Sequence, residues 1–140
     1  MNTDQALDII GNIIATLAAF SAKIPAQSFM VQPGGIRPTP EAVEAYEDAV
    51  YRFRDGAGMT YKGMTPFFIE SLEAFETGQV FHVVPPLLQA LEQLTEIQKA
   101  GKITIAEREQ ARLLEFLRRL HKILPDATKP EVDLPPPTSY

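Results

Sequence analysis

Twice in this sequence a Thr-Pro pair precedes a run of helical apolar spacing that a glycine then closes: Thr39-Pro40 to Gly56, and Thr65-Pro66 to Gly78. Each part of the pattern has a physical reason. A threonine hydroxyl accepts from the unpaired N–H groups of a first turn, and a proline there lacks a donor the helix would leave unused. A glycine allows the left-handed turn that ends a helix. A chain punctuated in this way is committed to helices. Its one extended candidate, QVFHVV at 79–84, stands alone, and a lone strand makes no sheet. The expected fold is all-α: a single bundle of about five helices over 1–124, with an extended Pro-rich arm over 125–140.

The first helix is expected from about Thr3 to Lys23. Asp4, Asp8, Asn12 and Thr16 recur every fourth residue and make one narrow polar stripe on an otherwise apolar cylinder. Gly11, Ala15 and Ala19 form a row of small residues that lets another helix come close. Such a helix is either the centre of the bundle or a contact between subunits. Under either reading, Ala15→Leu is expected to overpack the contact and cost about 1–3 kcal/mol. A membrane span needs roughly 20 apolar residues, whereas the apolar stretch 6–22 carries Asp8 and Asn12 in its first half. No Lys or Arg precedes it, as a signal peptide would require. A buried helix is expected, in a protein of the cytoplasm or of a virion, with no membrane insertion.

Residues 24–38, IPAQSFMVQPGGIRP, hold three prolines and a Gly pair, yet also the apolar Phe29, Met30, Val31 and Ile36. A long loop with such residues lies on its own core or on a partner. The second helix, 39–56, places Glu41 and Glu44 at its positive end and Arg52 and Arg54 at its negative end. Val43, Tyr46, Val50 and Phe53 form its seam. The third, 65–78, turns Phe68, Ile69, Leu72 and Phe75 inward. The fourth is expected to begin at Pro85-Pro86, to bury Leu87, Leu91, Leu94 and Ile97, and to stop at Gly101. The fifth follows a capping box, TIAE at 104–107, in which Thr104 caps and Glu107 reaches back. Its core face is Leu113, Phe116, Leu117, Leu120, Ile123 and Leu124. The short turn before it makes the last two helices antiparallel neighbours.

Several chemistries can be weighed. There is no Cys, which removes disulfides, thiolate metal sites and thiol catalysis. The formal charge of −5 argues against a nucleic-acid binder, as does the lack of an aromatic platform among Arg108, Arg112, Arg118, Arg119 and Lys122. Those cations alternate with Glu107, Glu109 and Glu115, so an ion-paired face is expected. Gly58, Gly63 and Thr65 match a phosphate-loop spacing, but Met64 stands at the lysine position and a helix precedes the segment where a strand is required. Residues 54–66 are therefore a connector, mobile or partner-bound. His82 and His121 have no helical His or Glu partner at metal-site spacing. His82 is expected to be a packing residue, and His121 a cation favoured by a helix C-terminus. Glu41, Glu44, Glu47 and Asp48, like Glu70, Glu73 and Glu76, fall where the seams leave solvent. No catalytic, cofactor or metal site is expected.

The arm PDATKPEVDLPPPTSY has five prolines and few bulky apolar residues. Ordering costs about 1–2 kcal/mol per residue, so contacts outside the arm must hold it. Leu134 and Tyr140 are its best apolar anchors, Val132 a weaker third, and Pro135, Pro136 and Pro137 form a stiff spacer between them. The expected function is a non-enzymatic structural or interaction subunit of a larger assembly. It would dock through helix 1, loop 24–38 (Phe29, Met30, Val31, Ile36) and the arm onto other protein subunits, as a homo- or hetero-oligomer. A small virion component, such as a bacteriophage capsid or tail accessory protein, fits that description. The alternatives are a free cytoplasmic helical regulator or adaptor and an enzyme with an unrecognised polar site.

Overall fold

A computed structural model describes residues 1–23 and 37–123 of the chain. The apolar loop residues Phe29, Met30, Val31 and Ile36 lie outside the described residues, as do Leu124 and the arm residues Val132, Leu134, Pro135, Pro136, Pro137 and Tyr140. The described chain is all-α, with five longer helices: α1 (Thr3–Ser21), α2 (Pro40–Gly56), α3 (Thr65–Glu76), α4 (Val80–Lys99) and α5 (Glu107–Ile123). No strand occurs among the described residues. Each helix packs on the one before it, and α1 also packs on α5, so the bundle closes on itself.

α1 is the hub of that closure. Asn2 accepts from the Gln5 backbone N–H while the Gln5 side chain accepts from the Asn2 N–H, a reciprocal cap. Leu7, Ile10, Ile13, Ile14 and Leu17 are fully buried between α2 and α5. Arg108 reaches Asp4 at 2.6 Å and Arg112 reaches Asp8 at 2.8 Å. Both pairs span 104 residues, so α1 and α5 run parallel and in register. The polar stripe of α1 thus meets the cations of α5. The row of small residues is used only at its start. A Cβ on Gly11 would stand 3.2 Å from the Phe116 ring, whereas Ala15 and Ala19 are exposed. The expected close contact at Ala15 is absent among the described residues.

α2 follows the sequence pattern closely. Thr39 caps it, accepting from the Ala42 N–H at 3.1 Å, and Tyr46, Val50 and Phe53 are fully buried. Tyr46 stacks on Phe75 of α3 at 4.5 Å, Phe20 of α1 meets Phe75 edge-on, and Phe53 meets Phe68. These aromatic contacts join three helices, each worth about 0.5–1.5 kcal/mol beyond burial.

The connector differs from expectation. It is neither open nor loosely held: Gly58–Tyr61 make one helical turn and Lys62–Met64 a 3-10 turn that runs straight into α3. Ala57, Tyr61 and Met64 are buried, and the Tyr61 hydroxyl shares a 3.0 Å hydrogen bond with Thr3 of α1. Apolar side chains at 57, 61 and 64 have helical spacing, and their burial fixes the segment. Because the backbone is already helical at Met64, Thr65 sits inside the helix and does not cap it; its hydroxyl is buried with no hydrogen-bond partner among the described residues.

Residues 80–84 are helical, not extended, and α4 begins at Val80 instead of at the proline pair. Val80, Val83, Val84 and Leu87 recur at helical spacing and are all buried. Their burial is worth about 1.5–3 kcal/mol each and together offsets the roughly 3 kcal/mol cost of each of the two interior prolines, Pro85 and Pro86. The helix starts tightly, with the His82 N–H donating to Gln79 O at 2.8 Å. α3 and α4 both end on left-handed glycines, Gly78 (φ 76°) and Gly101 (φ 78°). In each case the next residue's N–H closes a six-residue turn, Gln79 to Ala74 O and Lys102 to Ile97 O. The cap of α5 is also displaced from the TIAE box. Glu109 accepts from the Ala106 N–H at 2.8 Å, and the Ala106 carbonyl accepts from Gln110. Ala106 is therefore the capping position, two residues later than expected, and Thr104 is exposed.

Candidate functional site

Where α1 diverges from α2, their ends leave a groove of about 420 Å³. Its lining is mainly small and apolar: Ala15, Ala19, Phe20, Pro38 and Ala42. Lys23 and Arg37 stand on it. The two hydroxyls in its wall are already engaged. Thr16 donates to Asn12 O at 3.0 Å, and Thr39 accepts from Ala42. The groove thus offers apolar contact with two cationic side chains, which suits an apolar protein segment better than a reacting small molecule.

A second groove, about 320 Å³, runs between α4 and α5 and includes Leu88, Leu91, Glu92, Leu113, Leu117 and His121. A third hollow lies beside the connector, among Arg54, Lys62, Thr65, Pro66, Ile69, Glu70 and Glu73. Of the residues that resembled a phosphate loop only Thr65 lines it, with the neighbouring Lys62. Gly58 takes a left-handed φ of 64°, Lys62 is exposed, and Met64 is buried where the motif needs a lysine. Gly58 and Gly63 lie in the turns that lead from α2 into α3.

Among the described residues, the one marked displacement of a titrating group belongs to the core. The Tyr46 hydroxyl donates to Ser71 Oγ at 2.6 Å, which in turn donates to Phe68 O at 2.7 Å. Burial pushes the Tyr46 phenol well above its ordinary value, and the Ser71 bond only partly offsets this. A phenol sealed in this way is a hydrogen-bond donor, not an acid or a nucleophile.

The remaining candidates separate in space. His82 is exposed, contrary to the expected packing role, because α4 points position 82 away from its buried face. His121 is half-buried in the α4–α5 groove. Arg118 pairs with Glu115 at 2.8 Å, and Arg52 with Asp48 at 3.1 Å, as ion-paired surfaces do. Among the described residues no group of three His, Asp or Glu could hold a metal ion, and no helix is long and apolar enough to cross a membrane. The expected docking residues in 24–36 and 125–140 lie outside the described residues. Sequence reasoning missed Lys23, Phe20, Pro38 and Ala42 as groove residues. No local signal marks them, since the groove exists only once α1 and α2 diverge. No protein-family model, curated protein or solved structure matches the chain.

Proposed function

We propose that this protein is a non-enzymatic structural or interaction subunit of a larger protein assembly. Its neighbours would hold it at the α1–α2 groove, through the apolar residues of 24–36 and through the arm 125–140. The observation that carries the proposal is the exposed Ala15–Ala19 row within the apolar groove. Small side chains in a row admit close backbone approach, and such a surface gains stability when a protein segment covers it. The apolar faces of α1 are otherwise consumed inside the chain, so docking by α1 reduces to this row. The composition of the arm agrees, since Leu134 and Tyr140 need an external surface to be held.

Two variants test the proposal. A chain ending at Leu124 and a full-length Ala19→Arg variant should keep the far-ultraviolet circular dichroism of the parent. Both should elute from a sizing column as smaller species. Assembly unchanged in both variants would refute it. So would a parent chain that stays a well-behaved 15.5 kDa monomer, the behaviour of a free regulator.

A further inference from the structure

We propose that the α1–α2 groove takes residues 131–134 from the C-terminal arm of a second copy of this chain. The inference rests on the assembly proposed above and names what fills its docking site. The charge on the groove has one sign. Lys23 and Arg37 both line it, both are exposed, and neither side chain has an ion-pair or hydrogen-bond partner among the described residues. No Asp or Glu is among its described lining residues; Glu41 and Glu44 of α2 stand outside it. The positive end of the α2 dipole, at Thr39, adds to the same sign. The chain between the two cations offers no counter-charge, since 24–36 contains no Asp or Glu. An apolar wall beside two unpaired cations calls for an occupant that is apolar on one side and acidic on the other.

The arm holds such a segment. Residues 131–134 read Glu-Val-Asp-Leu, between Pro130 and Pro135. Successive side chains of an extended chain point to opposite sides, so Glu131 and Asp133 would face the cations while Val132 and Leu134 meet the apolar wall. Leu134 precedes a proline, which favours extended backbone at that position. The arm also starts at the right end of the bundle. Asp4 pairs with Arg108 and Asp8 with Arg112, an offset of 104 between parallel helices. The same offset sets Ile123, which ends α5, level with Ala19 in the groove wall. Residues 124–130 can span about 20 Å at roughly 3 Å per residue, twice the roughly 10 Å between packed helix axes. Two copies that meet at this end about a two-fold axis can therefore exchange arms, each giving a segment and receiving one.

The test is sedimentation equilibrium on full-length chains, with circular dichroism as the control for folding. The groove variant carries Lys23→Glu and Arg37→Glu; the arm variant carries Glu131→Lys and Asp133→Lys. Each variant alone sets like charges against each other, and its self-association should weaken by roughly tenfold or more with helicity unchanged. An equimolar mixture of the two should recover the parent's association, because each arm then meets a groove of opposite sign. A general loss of stability would not be repaired by mixing. Variants that fail to associate when mixed overturn the inference. So do oligomers indifferent to both variants, whether another surface is used or 24–36 of the same chain covers the groove; the assembly proposed above then still stands. A parent that is monomeric at every concentration overturns both.

Discussion

Ser71→Ala should be more harmful than its size suggests, and a second substitution should relieve it. Ser71 is fully buried and accepts the Tyr46 hydroxyl at 2.6 Å while donating to Phe68 O. Removing its oxygen strands the Tyr46 O–H in the core. An unsatisfied buried donor costs about 1–3 kcal/mol, against which the better helix propensity of alanine returns roughly 0.5 kcal/mol. Tyr46→Phe alone leaves Ser71 its bond to Phe68 O and should cost about 1 kcal/mol, an ordinary lost hydrogen bond. In the double variant no donor is stranded, because the Phe68 carbonyl lies within α3. The double variant should therefore be no less stable than Ser71→Ala alone, with a coupling of about 1–2 kcal/mol. The assay is urea unfolding followed by circular dichroism, with equal m-values across the four proteins. Effects that add to within about 0.5 kcal/mol would refute the buried Tyr46–Ser71 bond.

The same tyrosine gives a pH dependence. Its folded-state value is raised, so its contribution to stability is complete below the unfolded value near 10 and is lost as pH rises above it. Above about pH 10 stability should fall by up to about 1.4 kcal/mol per pH unit from this group, and Tyr46→Phe should flatten that slope in urea titrations. Gly11→Leu should destabilise by about 1–3 kcal/mol through the Phe116 contact, while exposed Ala15→Leu should stay within about 0.5 kcal/mol in thermal melts. Gly101→Ala meets nothing within 4 Å, so its cost of about 1–2 kcal/mol should come from the left-handed backbone alone, and Gly101→Asn should cost less. Lys62→Ala should leave any ATP or GTP affinity at background in equilibrium dialysis; specific binding lost in that variant would restore the phosphate-loop reading.

How far the sequence discloses this fold depends on how local each determinant is. Thr39, Pro40 and the Tyr46–Val50–Phe53 seam lie within one helix, and α2 forms as they indicate. At Pro85-Pro86 a local rule misleads. Prolines suggest a helix start, yet Val80, Val83 and Val84 already carry the spacing of Leu87 and Leu91, and burial prevails. The TIAE box fails for a similar reason, since Glu109 offers the backbone of Ala106 an equivalent bond one half-turn later. The closure of α1 on α5 is beyond local reasoning: Asp4 and Arg108 stand 104 residues apart, and no pattern in either helix pairs them. The same holds for the groove, whose residues come from two helices and the ends of the segment between them. Phe29, Met30, Val31, Ile36 and the arm residues stand as expected anchors by composition alone; they lie outside the described residues, and composition names no surface for them.

Sedimentation velocity on the full-length chain and on the chain ending at Leu124 tests the central claim most directly. The account predicts that the full-length protein forms oligomers, and that removing 125–140 reduces them to smaller species with unchanged helicity. A full-length chain sedimenting as a folded 15.5 kDa monomer at every concentration would contradict it.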